Sequence, residues 1–197
     1  MAAVRRERHL SGVAAEVQFP VEGISDGAVV LRLPSDADVP AIVAACQDPE
    51  IPRWTRVPMP YGEGEARGWL AQEAQSRADG EMLGLVVVDA EDGTLLGSAG
   101  IVHINRDEGR CELGYWMARQ ARGRGVATRA VRLLSRWTFD SLPVDRIEIH
   151  AEPDNAASRR VAERVGFMLE GVLRSYFVNK GVRHDAASYS LLRGELR

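Results

Sequence analysis

Two glycines stand one residue apart in the stretch QARGRGVA, which begins at Gln120 and separates a strand-like run from a helix-like run. Gly123 and Gly125 have no Cβ, so the backbone there can approach a ligand closely and take positive φ values. The first N–H groups of the following helix lack intrahelical partners, and the helix dipole is positive at that end. Arg122 and Arg124 can add charge-assisted hydrogen bonds. The stretch predicts a phosphate site, although a tight turn beside a solvated arginine face would have the same sequence.

Two better-known phosphate motifs do not fit this turn. The P-loop requires a Lys-Ser or Lys-Thr pair after its second glycine, and this chain has none there. The dinucleotide fingerprint requires a third glycine or alanine where this chain has Thr128, and an acidic residue about twenty positions on. Glu152 lies 27 positions after Gly125. A dinucleotide site in another kind of α/β protein is therefore only an alternative.

The composition is typical of a globular domain. Of 197 residues 45% are hydrophobic, which is enough for a packed core. The net charge of −3 gives no general attraction to nucleic acid, and no window has the ~20 apolar residues of a membrane span. The N-terminus lacks the apolar core of a signal peptide, so we expect a cytoplasmic protein. Cys46 and Cys111 lack metal-ligand spacing and indicate buried thiols, so no metal is predicted.

Hydrophobic periodicity predicts an α/β chain. Strands are expected near residues 29–33, 83–88, 95–104, 111–118 and 146–152 and in a closing hairpin that turns at NKG. Helices are expected near residues 36–47, 64–79 and 126–139 and in a short segment that ends at Gly166. The proline-rich stretch IPRWTRVPMPYGEGE predicts a shaped loop. Residues 1–26 show no sustained period, which predicts a flexible arm before a single domain over residues 27–197.

Several segments together resemble the GNAT superfamily of acetyltransferases. QARGRGVA matches that family's Arg/Gln-x-x-Gly-x-Gly/Ala signature at a strand–helix junction. The segments similar to its ribosomal-protein acetyltransferase (RimJ/RimL-like) branch, in the family's order, are LRLPSDADVPAIVAACQDPEI, GTLLGSAGI, LGYWMARQARGRGVAT and DNAASRRVAERVGFMLEGVLR. They cover about residues 29–192. The resemblance implies an α/β (α+β) GNAT fold, a twisted, mostly antiparallel mixed sheet of six or seven strands with flanking helices, whose fourth and fifth strands splay apart.

The resemblance also implies acetyl-CoA as the cosubstrate, bound in that splay. The pantetheine chain would pair with the backbone of the fourth strand, and the diphosphate would meet backbone N–H groups of the glycine turn. The expected cofactor-binding residues are Trp116, Met117, Ala118, Arg122, Gly123, Arg124, Gly125, Val126, Ala127, Thr128, Asn155 and Ser158. Met117 N–H is also the expected donor to the oxyanion. Asn155 could equally be a plain helix cap.

The implied reaction is acetyl transfer to a primary amine by direct attack. An alkylamine with a pKa near ~10 is mostly protonated at neutral pH, so a base must remove its proton. By family position Glu112 is the expected base, with His150 as the alternative, since a histidine pKa near ~6.5 suits a base at neutral pH. Tyr176 or Ser158 is expected to donate a proton to the departing thiolate. Ion pairing or packing would explain each of these side chains as well.

One departure limits the resemblance. RimL itself is thought to use a glutamate in the penultimate strand, where this chain has Phe177 and no carboxylate in the segment LRSYF. The RimL mechanism is therefore not carried over whole.

The acceptor is expected to lie against the first two helices and their connection. Trp54 and Tyr61 are the expected walls, with Trp69, and Glu63 or Glu65 are candidate amine anchors. The branch favours a protein or peptide N-terminal α-amine. The alternatives are a small-molecule amine such as an antibiotic or polyamine, a non-catalytic acyl-CoA sensor, or RNA binding by the arginine run, which lacks an aromatic platform. We expect no nucleic-acid or membrane partner, and a homodimer because many relatives pair.

Overall fold

The described part of the chain, residues 15–196 of this computed structural model, forms a mixed β-sheet with helices on both faces. Its strands are β1 Ile24–Ser25, β2 Val29–Arg32, β3 Leu83–Asp89, β4 Leu95–Asn105, β5 Arg110–Met117, β6 Arg146–Ala151, β7 Met168–Asn179 and β8 Val182–Leu192. Its helices are α1 Val39–Cys46, α2 Glu50–Trp54, α3 Glu63–Ala78, α4 Val126–Ser141 and α5 Ala156–Val165. Within this part, none of the helices combines the length and the apolar run that a membrane crossing requires.

The sheet has the order β1-β2-β3-β4-β5-β6-β8-β7. Every neighbouring pair is antiparallel except β5 and β6, which are parallel because α4 returns the chain between them. The prediction of a mixed, mostly antiparallel sheet is confirmed. The strand count is eight rather than six or seven, because β1 has only two residues and is too short to leave a pattern in the sequence.

The parallel strands β5 and β6 separate after three paired positions. Their register is Arg110↔Arg146, Cys111↔Ile147 and Glu112↔Glu148, and no later residue of β5 pairs with β6. From Leu113 onward, the β5 backbone groups on that side therefore face a gap instead of a strand. This is the predicted splay, and it leaves peptide groups free for a ligand.

Two hydrophobic clusters hold the helices against the sheet. On one face, α4 and α5 bury Ala130, Leu134 and Val165, as the predicted apolar stripes require. On the other face, α1 to α3 bury residues such as Ile42 and Ala66 against the ends of β3 and β4.

Two segments contain structure that the sequence pattern did not indicate. The arm was expected to extend to residue 26, but Val17 and Phe19 are buried, and Phe19 stacks edge-on against Trp137 with ring centroids 4.9 Å apart. Two apolar residues are too few to show a hydrophobic period, and their partner is distant in sequence. The rest of the expected arm, residues 1–14, lies outside the described part. The predicted proline loop contains the short helix α2, which tolerates Pro52 because the first turn needs no N–H donor there.

Candidate active site

A cleft of about 1290 Å³ opens on the face that carries α1 to α3 and reaches the start of α4. Its lining includes residues from α2, α3, β3, β4 and β5 on one side and from β6, α5 and β7 on the other. The gap between β5 and β6 therefore joins an acceptor side to the glycine turn. A cleft of this size can hold an extended cofactor and part of a second substrate.

Glu112 and His150 meet at the point where the two strands separate. The distance from His150 Nδ1 to Glu112 Oε1 is 3.4 Å, without the alignment of a hydrogen bond, so the contact is an ion pair only when the imidazole is protonated. His150 Nε2 lies 3.3 Å from Ser188 Oγ. The His150 side chain is 6% exposed and that of Glu112 is 33% exposed. Both expected bases line the cleft, and Glu112 is the more exposed of the two.

Tyr176 covers the imidazole of His150, with ring centroids 4.8 Å apart. Burial raises the pKa of the Tyr176 phenol, and the nearby carboxylates of Glu112 and Glu148 raise it further. A raised pKa keeps the phenol protonated at neutral pH, as a proton donor requires. The preceding residue, Ser175, has a φ of 55°, and the β7–β8 register shifts between Leu173 and Phe177. This bulge directs Tyr176 toward the site.

Ser158 lies at the first turn of α5, on the other side of the gap. Its N–H donates to Asn155 Oδ1 at 3.1 Å, so Asn155 is the helix cap that was predicted as one alternative, and both residues line the cleft. Ser158 Oγ lies 2.9 Å from the Tyr115 hydroxyl. Burial raises the pKa of Tyr115 to about 12, so its hydroxyl stays protonated. Sequence reasoning missed Tyr115 as a partner, because strand alternation places it on the face opposite to Glu112.

The glycine turn has the conformation that a phosphate site needs. Gly123 and Gly125 have φ values of 74° and 78°, and a Cβ at either position would meet nothing within 4 Å. Glycine is therefore required by the backbone conformation and not by lack of space. Arg129 N–H is bonded to Gly125 O at 3.1 Å. The N–H groups of Val126, Ala127 and Thr128 precede it and have no intrahelical acceptor, so they fit a diphosphate.

Arg122 makes three contacts within the protein. Its Nη1 lies 2.9 Å from Asp48 Oδ2 and its Nε donates to Met117 O at 3.1 Å. Its backbone N–H donates to Arg119 O at 3.3 Å. These contacts hold the turn against the end of β5, and the phosphate contact of Arg122 stays a prediction.

Arg124 belongs to a second, arginine-rich cavity beside the turn. This cavity has a volume of about 450 Å³ and is lined by Asp26, Arg124, Gly125, Thr128, Arg129, Arg132, Leu133, Arg136 and Arg164. Arg129 Nη1 pairs with Asp26 at 2.8 Å, and Arg132 donates to the carbonyl of Arg164 at 3.0 Å. The remaining positive charge lies beside the expected diphosphate position and favours an anion there.

Met117 is the strand-end residue that faces the gap. The Ala118 N–H donates to Leu96 O of β4 at 2.9 Å. Because successive N–H groups of a strand point to opposite sides, the Met117 N–H points away from β4 and into the gap. Trp116 pairs with Ser98 of β4. The backbone contacts expected of Trp116 and Ala118 are therefore taken by β4, while the expected oxyanion donor remains available.

The two expected aromatic walls differ in their surroundings. Trp54 lines the cleft, with its Nε1–H donated to Glu50 Oε2 at 3.2 Å and the Arg53 guanidinium 4.6 Å from its ring centroid. Tyr61 also lines the cleft, but it is 8% exposed and belongs to the core under α1 and α3. Burial raises its pKa to about 12. Trp54 is thus a wall that a substrate can touch, whereas Tyr61 supports the wall from behind.

The two candidate amine anchors differ in their surroundings. Glu63 is exposed, pairs with Arg67 at 3.6 Å and is not part of the cleft lining. Glu65 caps α3 by accepting the Gly62 N–H at 2.8 Å. Glu65 still lines the cleft, and so does Glu73, about two turns further along α3, which sequence reasoning missed because its neighbours gave no periodic signal.

Comparison with known proteins decides the family. The family model described as an acetyltransferase (GNAT) domain matches residues 28–168. The chain belongs to this family. The Bacillus subtilis protein YdaF, named as a candidate ribosomal N-acetyltransferase, is 38% identical over 104 residues, which are 53% of this chain and 57% of YdaF. Bacillus licheniformis p20, named as an uncharacterized N-acetyltransferase, is 31% identical over 163 residues, or 81% of this chain and 89% of p20.

A solved structure shows the same fold. The microcin C7 self-immunity acetyltransferase MccE, in complex with acetyl-CoA and AMP, matches 90% of this chain and 99% of its own with a TM-score of 0.80 and 23% identity. The predicted GNAT fold is therefore confirmed. The family match and the similarity to YdaF confirm the RimJ/RimL-like branch and acetyl-CoA as cosubstrate. This GNAT protein is an acetyl-CoA-dependent N-acetyltransferase.

Proposed function

We propose that this GNAT enzyme acetylates the N-terminal α-amine of a protein or peptide by direct attack of the amine. Acetyl-CoA supplies the acetyl group as a thioester. The observation that carries the proposal is the Glu112–His150 contact at the point where β5 and β6 separate, because it places proton acceptors at the inner end of the gap. The catalytic roles that follow are part of the proposal.

Glu112 removes the proton of the acceptor amine. Its carboxylate is partly exposed to the cleft, whereas the His150 side chain beside it is almost fully buried. Proton removal of this kind typically contributes about 10²- to 10⁴-fold in rate. Met117 N–H stabilises developing negative charge on the carbonyl oxygen, since donors fixed in a dry site need no reorganisation.

Two groups can supply the proton that the leaving thiolate needs. Tyr176 is held protonated by its surroundings and lies against His150. Ser158 lies on the other side of the gap and shares a hydrogen bond with Tyr115. We place the donor role on Tyr176, with Ser158 as the alternative.

The acceptor side of the cleft can admit a peptide end. The β7–β8 turn braces the segment that follows α2, because Asn179 Nδ2 donates to Thr55 O at 3.3 Å and Lys180 Nζ donates to Pro52 O. The wall that bears Trp54 is thus positioned by the same hairpin that presents Tyr176. The branch, whose named member YdaF is a candidate ribosomal acetyltransferase, favours an α-amine over a small molecule. A cytoplasmic location fits such an acceptor.

A small-molecule amine is the second candidate. The observation that favours it is the pair of indole walls, Trp54 and Trp69, on the acceptor side of the cleft. Aromatic faces attract ammonium groups through their negative quadrupole.

The test is thiol release from acetyl-CoA with a panel of acceptors. The panel contains peptides with a free N-terminus, the same peptides with a blocked N-terminus, and small amines. We expect release with free peptides and none with blocked ones. Thiol release with small amines alone would show that the acceptor is a small-molecule amine, the second candidate. Tight acetyl-CoA binding without release by any amine would instead identify a sensor and contradict the proposal.

A homodimer is proposed through the edge strand β7. Met168, Val172 and Val178 are each about half exposed or more on this strand, which has a partner on one side only within residues 15–196. In an antiparallel pairing centred on Val172, Glu170 would face Arg174 of the second copy, which makes the edge self-complementary. Sedimentation should show a dimer that V172E dissociates; a monomeric wild type would contradict it.

A further inference from the structure

Three glycines in register form the floor of the cleft between α3 and the Glu112–His150 pair. Gly84 of β3 pairs with Gly100 of β4, and Gly100 pairs with Gly114 of β5. All three line the cleft. Adjacent strands lie about 4.8 Å apart, so the row spans roughly 10 Å. Glu73 and Trp69 pack over Gly84, and Val102 packs over Gly114, so the trough that the row leaves for an extended ligand lies between them, over Gly100.

Glu73 stands at the α3 end of this trough. A Cβ on Gly84 would lie 2.4 Å from Glu73 Oε2, so the carboxylate rests directly on that glycine. Glu73 is 5% exposed, and within residues 15–196 its Oε1 has no hydrogen-bond partner. An unpaired carboxylate in such surroundings is costly. Burial raises its pKa, and the Gly84 N–H and Arg77 offset this only in part.

The acid–base pair stands at the opposite end. Gly114 and Glu112 are two residues apart on β5 and therefore project to the same face of the sheet. Val102 leans over Gly114, where a Cβ would lie 2.8 Å from its Cγ1, and narrows the trough at that end. An acceptor whose amine reaches Glu112 would thus extend over Gly100 toward Glu73.

We propose that Glu73 binds a second cationic group of the acceptor, roughly 10 Å from the nitrogen that is acetylated. The inference rests on the proposed function and defines its acceptor as a dicationic amine. The source is either a polyamine or a peptide with Lys or Arg next to its N-terminal α-amine. The Trp69 ring lies at 3.2 Å from a Cβ on Gly84, and so beside the same carboxylate, where it adds a cation–π contact.

The test measures binding without transfer. Calorimetry on CoA-saturated protein compares 1,8-diaminooctane with octylamine, and the peptide Ser-Lys-Ala with Ser-Met-Ala. We expect the dicationic member of at least one pair to bind the wild type about 10- to 100-fold more tightly than it binds Glu73→Gln, because the variant loses a charge-assisted hydrogen bond. The neutral-tailed member should bind both proteins alike. The pair that responds identifies the source.

The control variant is Glu63→Gln, on the same helix. It removes the same charge from an exposed position outside the cleft and should leave all four affinities unchanged. The inference is overturned if the wild type shows no dicationic preference in either pair, or if Glu73→Gln keeps it. Failure of the proposed function is separate, since it would show as absence of thiol release from acetyl-CoA with acceptors that do bind.

Discussion

At the scale of single residues, burial distinguishes the roles of Glu112 and His150. Glu112 is a third exposed and His150 is nearly buried, although both were candidates for the same role. The exposed group can meet an incoming amine, and the buried group can only act through it. This is why the account places the base at Glu112 and treats His150 as a positioning residue.

Glu112→Gln should lower kcat by about 10²- to 10⁴-fold at neutral pH, because the amide cannot accept the amine proton. Stabilisation of the fold by acetyl-CoA should persist, because Glu112 does not face the glycine turn. Steady-state thiol release across pH, together with melting curves, measures both. Full activity of the variant at every pH would show that Glu112 is not the base.

Tyr176→Phe tests the proton donor. The pKa of Tyr176 is raised above its ordinary value near ~10 by burial and by two carboxylates. The phenol therefore keeps its proton throughout the neutral range and ionises only in alkaline solution. We expect the variant to be slow at neutral pH and to lack the alkaline loss of activity of the wild type. An unchanged dependence of activity on pH would show that Tyr176 is not the proton donor. Ser158→Ala would then test Ser158 as the donor.

At the scale of elements, the glycine turn couples backbone conformation to cofactor binding. Gly125→Ala places a side chain at a φ of 78°, which costs about 1–2 kcal/mol and displaces the start of α4. Acetyl-CoA at a hundred times its Kd should stabilise the wild type by about 2.7 kcal/mol, or about 5–10 °C in Tm. The variant should lose most of that shift.

Gly93→Ala is the matched control for this prediction. Gly93 has a φ of 73° with nothing within 4 Å of its Cβ position, and it lies in the β3–β4 turn away from the cleft. It should lower the Tm by a similar amount and keep the acetyl-CoA shift. Equal shifts of the Tm by acetyl-CoA in Gly125→Ala and Gly93→Ala would show that the glycine turn does not bind the cofactor.

The ion pair between β6 and β7 should make stability depend on pH. Hydrogen bonds from Arg146 hold the pKa of Glu170 at about 2, below its ordinary value of 4.5, and Ser190 adds another. Because the pKa of Glu170 is lower in the folded state, its ionised carboxylate stabilises the fold above pH 4.5. This stabilisation is lost as the pH falls toward 2. The excess stability of the wild type over Glu170→Gln, from urea unfolding, should therefore shrink across that window; a constant difference would contradict the assignment.

Local signals decided which elements could be predicted. The stripe of α4, the glycines before it and the alternation of β6 are properties of neighbouring residues, and the structure has each of them. Contacts between distant residues left no such pattern. Phe19 against Trp137, Arg122 against Asp48 and Glu73 over Gly84 each join segments far apart in the chain. For this reason the glycine turn and the elements around it could be predicted from the sequence, and these long-range contacts could not.

At the scale of the whole molecule, one topological feature organises the site. The parallel pair β5–β6 closes for three positions and then opens, so the sheet contains a slot between its two antiparallel halves. The glycine turn and the start of α5 stand at one mouth of this slot, and Glu112, Tyr176 and the glycine floor stand at the other. Cofactor and acceptor can therefore approach the same point from opposite sides.

A crystal structure with bound acetyl-CoA would show whether the slot between β5 and β6 holds the cofactor. We expect the pantetheine chain between β5 and β6, with the diphosphate within hydrogen-bond distance of backbone N–H groups from Gly123 to Thr128. We also expect the thioester carbonyl near Met117 N–H and the acetyl group facing Glu112. Acetyl-CoA bound elsewhere, with β5 and β6 paired along their whole length, would contradict this expectation.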